Sequence, residues 1–271
     1  MGWRASGCGS LTIWLSGNSI SRRGQCACCK GVILTPFFEQ VPLTGSTNAD
    51  LIARVSSGLP EGHWLRADIQ DNGRGRVGRA WESQNGNLFA STVVRLQPSD
   101  PPAPSLAFLS AISMFELVEN IAPQVQVIIK WPNDILSNEG SKLSGILLER
   151  SGDAVVIGFG LNLACHPHGL DRAVTDLVTM GARPPKPQDA VEILATIFSS
   201  WLRRWREGGI SEILDVWQER AHPLGTALSV SLPSGERLDG HYSGLCQDGA
   251  LRLCLADGSI HAIHAADIFL I

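Results

Sequence analysis

The sequence predicts an α/β (α+β) chain that ends, from Pro223 onward, in a small all-β unit. Three observations lead there. Segments of alternating apolar residues and segments of helical period take turns as far as Trp217. Beyond Pro223 only short strands and tight turns remain. Apolar residues make up 44% of the chain and charged ones 18%, so there is ample material for a core.

The elements run in order along the chain. Residues 33–41 read as a strand. Ser46 or Thr47 then supplies the N-cap oxygen of a helix to about Val55, with Leu51, Ile52 and Val55 on its apolar side. Residues 63–69 are a strand that feeds the segment 70–81. Residues 87–96 alternate, with Leu88, Ala90, Thr92 and Val94 set against Phe89, Ser91 and Val93. After a proline-rich connector at 98–104, Phe108, Ile112, Phe115 and Val118 fall on one helical face. Residues 125–129 are a short strand ending at Lys130; Pro132 stops it, and Asn133-Asp134 form the turn. Residues 143–150 and 154–162 are strands bridged by Ser151-Gly152-Asp153, a hairpin signal. Residues 165–186 read as a long polar surface loop; His166 and His168 beside Cys165 form no complete metal set. Val191, Leu194, Phe198, Leu202 and Trp205 mark a long helix, and Ile210, Ile213, Leu214 and Trp217 a second. Strands at 227–232, 237–242, 250–255, 259–263 and 268–271, with tight turns between them, read as a small barrel. No internal repeat is visible.

Residues 1–31 differ from the rest of the chain. Arg4, Arg22, Arg23 and Lys30 occur there with no acidic residue and no sustained period. Cys26-Ala27-Cys28-Cys29 lacks a second Cys/His pair to complete a tetrahedral metal site. Met1-Gly2 with Ser6 matches the short myristoylation pattern. The acid-free character is that of a transit peptide, but the arginines are few. The reading taken is a disordered or spurious extension.

The totals exclude some functions. A net charge of −4 argues against a general nucleic-acid binder. No apolar run is long enough to predict a membrane span. Seven cysteines, four of them within the first 29 residues, show no pairing pattern, which fits free thiols in a reducing cytoplasm.

The stretch most loaded with chemistry is Gln70-Asp71-Asn72-Gly73-Arg74-Gly75-Arg76-Val77-Gly78-Arg79-Ala80-Trp81. Glycine lets a ligand approach the main chain closely. Arginine presents an always-charged planar fork to phosphate or carboxylate oxygens. The expected partner is a small polyanion such as ATP, although a solvated basic turn has the same composition. Lys130, Asn133, Asp134, Lys142 and Asn162 all stand at strand ends beside turns, and strand ends of one sheet can share one rim.

Ser46-Thr47-Asn48, the glycine–arginine segment, Lys130-Trp131-Pro132-Asn133-Asp134, Lys142-Leu143-Ser144-Gly145-Ile146-Leu147-Leu148-Glu149 and Gly158-Phe159-Gly160-Leu161-Asn162, in that order and spacing, resemble the biotin protein ligase family. The resemblance runs from about Phe37 to the C-terminus. It implies a class II synthetase-like mixed-sheet domain at 32–221 and an SH3-like β-barrel at 222–271. With no helix-turn-helix ahead of the motifs, the DNA-binding version of the family is not expected. The implied reaction activates biotin with ATP to biotinyl-AMP and transfers biotin to one lysine of a biotin carboxyl carrier protein, such as that of acetyl-CoA carboxylase. Neither nucleic acid nor membrane is expected as a partner, and the chain is a monomer or homodimer.

The roles implied are these. Ser46, Thr47, Asn48 and Gln70 meet biotin's ureido ring, and Gly145 leaves room beside a strand. Gly73, Arg74, Gly75, Arg76 and Arg79 close over the phosphates, Trp81 covers the adenine or pins the loop, and Asn162 belongs to the set that binds biotin and ATP. Lys142, with Arg76 and Lys130, stabilises the adenylation step; Asn133 offers an oxygen to Mg²⁺; Asp134 serves the acceptor lysine as base or orienting group. Two departures from the family pattern are Gly45, where Asp is common, and Val77, where another arginine is common. The competing readings are a lipoate or octanoate ligase on a similar scaffold and a biotin-sensing protein without turnover.

Overall fold

The computed structural model describes residues 36–270; the N-terminal segment, including the expected strand start at Ile33 and the cysteine cluster, lies outside the described residues. In chain order the elements are β1 (Phe37–Thr44), α1 (Thr47–Val55), β2 (His63–Gln70), β3 (Leu88–Arg95), α2 (Leu106–Ile121), β4 (Val127–Lys130), β5 (Asp134–Ser137), β6 (Lys142–Ser151) and β7 (Ala154–Leu161). Then come α3 (Pro187–Gly208), α4 (Ser211–Glu219), β8 (Ala227–Ser231), β9 (Arg237–Leu245), β10 (Leu251–Cys254), β11 (Ile260–Ile263) and β12 (Asp267–Leu270).

The first seven strands form one mixed sheet in the order β1-β2-β3-β7-β6-β5-β4. Only β1 and β2 run parallel. Strand periodicity sends alternate side chains to opposite faces, and the two faces are covered differently. Val155, Ile157 and Phe159 of β7 join Trp64 and the helices α2 and α3 in the main core. Ala154 and Val156, on the other face, pack with Leu65, Val93 and the apolar side of α1 in a small second cluster. The next residues on that second face are Gly158 and Gly160. Apolar cover stops there, and a cleft begins.

α1 starts where the sequence says it should: Ser46 is its N-cap, and its side chain accepts from Ala49 N at 3.5 Å. The region after Lys130 differs from expectation. The turn is Trp131–Pro132–Asn133, and Asp134 opens a strand, β5, instead of closing the turn. Ile135 and Leu136 explain it: both are buried, and β5 pairs with β4 and β6.

The last five strands form an antiparallel sheet in the order β11-β10-β9-β8-β12. The pairings among the described residues leave β11 and β12 at its two ends, the small β unit expected, in an open order. It shares its core with the first sheet. Trp131 Nε1 donates to Gly249 O at 3.1 Å, and Leu245 N donates to Gln218 Oε1 at 2.9 Å. No helix among the described residues is long and apolar enough to cross a membrane. Cys165, Cys246 and Cys254 are free.

Candidate active site

Sheet register carries the predicted residues to one rim. The C-terminal ends of β1, β2 and β7 lie beside the N-terminal ends of β3 and β6, and Asp134 at the start of β5 lies opposite Gly145 of β6. A cleft of about 750 Å³, part of it open to solvent, sits on that rim. All the predicted site residues line it except Gly73, Lys130 and Asn162.

One end of the cleft is neutral and buried. Ser46, Thr47 and Asn48 are 5%, 3% and 3% exposed, so their polar groups must find partners inside the protein or in a ligand. Thr47 N donates to Gln70 Oε1 at 2.8 Å, which leaves the Gln70 amide nitrogen to donate, in part to Ser83 Oγ at 3.3 Å. Asn48 is engaged by the protein: its Nδ2 donates to Glu149 Oε2 and its Oδ1 accepts from Ser91 Oγ. The floor is glycine. Gly145 of β6 pairs directly with Gly160 of β7. A Cβ at Gly160 would stand 2.6 Å from Trp81 Cζ2, and one at Gly145 would stand 2.9 Å from Trp81 Cζ3. The indole of Trp81 therefore lies on this glycine pair, and its buried Nε1 has no protein partner.

The other end is charged. The segment after β2 folds back on itself: Gly75 N donates to Arg79 O at 2.7 Å, and Trp81 N donates to Gly73 O at 2.9 Å. Residue 73 must be glycine, because a Cβ there would lie 2.5 Å from the Trp81 carbonyl oxygen. The folded loop presents Arg74, Arg76 and Arg79 to the cleft. Arg76 donates to Asn133 Oδ1 at 3.3 Å, and Arg79 pairs with Asp267 from β12. Asn133 Nδ2 also donates to Ile146 O.

Lys142 stands where the two ends meet. Its Nζ is 2.5 Å from Asp134 Oδ1 and 5.6 Å from the Trp81 ring centroid. Burial pushes its pKa below the ordinary lysine value; Arg172 and Arg76 push the same way, and Asp134 opposes them. Lys130 is also held below the usual range, first by burial, with Lys142 and Arg172 adding to it and Asp134 and Asp267 opposing. It lies behind the cleft, against the Phe269 ring at 5.9 Å and beside His222. His222 is pushed down to about 4 by burial and by Lys130, which keeps it neutral.

Asn162 lines a second, smaller cleft on the far side of Trp81 and Lys142, together with Arg172 and Leu170. Its Nδ2 donates to Thr175 O at 2.9 Å. The polar segment before α3 is tied down here: Lys142 N donates to Ala173 O, and Thr175 N donates to Lys142 O, both at 2.9 Å. His166 is occupied by Asp176 at 2.5 Å. Among the described residues no group of three or more His, Cys, Asp or Glu side chains could hold a metal ion.

Sequence reasoning did not select Ser91, Glu149, Arg172, Asp267, Gly158 or Gly160. Gly158, Gly160 and Glu149 stand inside the family motifs without a role assigned to them. The others carry no local signal, since each acts through a neighbour far away in the chain.

The family model described as the biotin/lipoate A/B protein ligase family matches residues 41–162. The biotin–[acetyl-CoA-carboxylase] ligase of Paracoccus denitrificans is 33% identical over 243 residues, covering 83% of this chain and 97% of that protein. The enzyme of the same name from Mycobacterium tuberculosis is 33% identical over 238 residues, covering 85% and 87%. In fold, the chain is similar to the Aquifex aeolicus biotin protein ligase in complex with biotin and ATP, with TM-score 0.77, 23% identity and coverage of 86% and 99%. It is also similar to the Leishmania major biotin protein ligase in complex with biotinyl-5-AMP, with TM-score 0.62, 23% identity and coverage of 86% and 100%.

Proposed function

The chain belongs to the biotin/lipoate A/B protein ligase family, and we infer that within it the protein is an ATP-dependent biotin–protein ligase. It joins biotin to AMP and passes the biotinyl group to a lysine of a biotin carboxyl carrier protein. One observation carries this reading: a single cleft is neutral, hydrogen-bonding and glycine-floored at one end, cationic at the other, and bridged by Lys142. That is the polarity of biotin joined through its carboxylate to a nucleotide.

The ureido ring sits against Thr47 and Gln70, which offer an acceptor and a donor to its N–H and C=O groups. The valeryl chain runs along the Trp81 indole that covers the Gly145–Gly160 pair, toward Lys142. In the first step a carboxylate oxygen attacks the α-phosphorus of ATP. The bond from that phosphorus to the bridging oxygen breaks, and pyrophosphate leaves with the electron pair. Two anions must meet for this to happen. Lys142, Arg76, Arg74 and Arg79 line the cleft and supply the positive charge for this, and electrostatic stabilisation is usually the largest catalytic term. The adenine enters the smaller cleft beside Asn162, with Trp81 between it and the biotin floor.

A magnesium ion fits this donor set only as the nucleotide's companion. The protein offers it Asn133 Oδ1, directly or through water, and no carboxylate cage among the described residues, which suits an ion that takes most of its ligands from phosphate and solvent. Bound there, it would neutralise the leaving pyrophosphate.

In the second step the carrier lysine's amine attacks the acyl carbon, the acyl–phosphate bond breaks, and AMP departs. Asp134 is already paired with Lys142 through one oxygen, which fixes the direction of its carboxylate. Its second oxygen can accept a hydrogen bond from the incoming amine and receive its proton.

Radiolabelled pyrophosphate exchange into ATP tests the reading, with biotin and with lipoate as the acid. Exchange with biotin supports it. Exchange with lipoate alone makes the chain a lipoate ligase, and none with either acid makes it a binding protein without turnover.

A further inference from the structure

Behind the neutral end of the cleft, four groups from three elements form a hydrogen-bonded chain, of which the steps above use only Thr47. Asn48 Nδ2 is 2.8 Å from Glu149 Oε2, Ser91 Oγ is 2.6 Å from Asn48 Oδ1, and Thr47 Oγ1 is 2.6 Å from Ser91 Oγ. Ser91 is fully buried. Space for the chain depends on a glycine: a Cβ at Gly158, which pairs with Ser91 across β3 and β7, would collide with Asn48 Oδ1.

Proton counting gives every link a direction. A carboxylate only accepts, so Asn48 turns its NH₂ to Glu149 and its oxygen to Ser91. That oxygen only accepts, so Ser91 donates to it. Ser91's one proton is then spent, and its short contact with Thr47 needs Thr47's proton. The other neighbour of the Thr47 hydroxyl is Gln70 Oε1 at 3.1 Å, itself an acceptor held in that orientation by Thr47 N. On either path the Thr47 proton stays inside the protein, and the hydroxyl shows the cleft only lone pairs.

We propose that Ser91 and Glu149 are positioning residues that fix Thr47 as an acceptor, so that the site selects a ring donating an N–H there, a cyclic urea, over a dithiolane ring that has none to give. The proposal rests on the biotin reading above. It assigns the choice between the two acids to residues that never touch the substrate. A site built to pair with a polar group discriminates strongly against a ligand lacking it, because its own groups are then left unpaired.

Two variants test it by pyrophosphate exchange on the full chain. Ser91→Ala removes the donor to Asn48 and the nearer of the two acceptors for the Thr47 proton, leaving only Gln70 Oε1 at 3.1 Å. Its KM for biotin rises roughly tenfold, the worth of one lost charge-free hydrogen bond and its order, while kcat and the KM for ATP stay within about twofold. Glu149→Gln keeps the shape and lets the Asn48 amide take either orientation; its biotin KM rises about threefold by the same reasoning. Should Ser91→Ala not fold, Glu149→Gln carries the test alone. A fold defect lowers the active fraction, and so kcat, without moving the biotin KM. A biotin KM within twofold of the unaltered chain's in either folded variant overturns the proposal. An unaltered chain with no biotin-dependent exchange is a separate outcome: it overturns the ligase reading and the relay with it.

Discussion

The two ends of the cleft are built on different physics. At the floor, Thr47, Asn48, Ser91 and Gln70 are held to one another by neutral hydrogen bonds inside a buried wall, and Asn48 is anchored to the Glu149 carboxylate. Little can move there without leaving a polar group unpaired, which costs about 1–3 kcal/mol each time. At the rim, Arg74, Arg76 and Arg79 are partly solvent-exposed; Arg76 is held by a single hydrogen bond to Asn133 and Arg79 by an ion pair to Asp267. Exposed pairs of that kind are worth little and are easily exchanged for a better partner. The floor therefore recognises and the rim responds. A rigid acceptor for a small neutral ring and an exchangeable set of cations for a nucleotide that comes and goes are what the two halves of an acyl-adenylate require.

Substitutions can break this contrast, and the largest effect belongs where the two ends meet. Lys142→Ala removes a preorganised charge from the reacting atoms. Single-turnover adenylation is expected to fall by about 10²–10³-fold, while calorimetric biotin affinity changes only a few-fold. An unchanged single-turnover rate would remove Lys142 from the mechanism.

Gly160→Ala comes next. The new methyl meets the Trp81 indole at 2.6 Å, so the ring must leave its glycine bed. Overpacking of this sort costs about 1–3 kcal/mol, and steady-state kinetics should show a roughly tenfold rise in the KM for ATP. A KM equal to the unaltered chain's would mean Trp81 has no part in nucleotide binding.

The third test is of pH. Lys142 is held below its ordinary value of 10.5, chiefly by burial, so it loses its charge earlier than a free lysine as pH rises. The adenylation rate should fall with it on the alkaline side. Asp134 is the group that favours the ammonium. Asp134→Asn should therefore move that alkaline limb to lower pH in a single-turnover pH profile, and a limb that stays put would detach the limb from Lys142.

The smallest effect is expected at the rim. Asp267→Asn releases Arg79 from an exposed pair, and the KM for ATP should change less than about threefold, with the difference vanishing in high salt. A large, salt-resistant change would make the rim as rigid as the floor and end the comparison.

Much of this architecture is legible in the chain. The alternation of β3 and β7, the Ser46 cap and the steps of three and four along α3 obey local rules that bind any single segment. β5 was not legible: four residues after a proline turn carry too short a period, and only pairing with β4 and β6 makes Ile135 and Leu136 a strand. Arg172 and Asp267 were missed for a related reason. One sits in an irregular segment and the other in the C-terminal sheet, and each reaches the cleft only because that segment or sheet packs there.

What the sequence alone determined is the chemical inventory: a glycine-rich arginine loop, two lysines at strand ends, and small polar residues at a helix start. Those are matters of residue type and spacing. The direction of each hydrogen bond at the floor was decided only by the tertiary structure. Which group donates depends on which acceptor stands next to it, and Glu149, Asn48, Ser91 and Thr47 become neighbours only when β6, α1 and β3 are brought together.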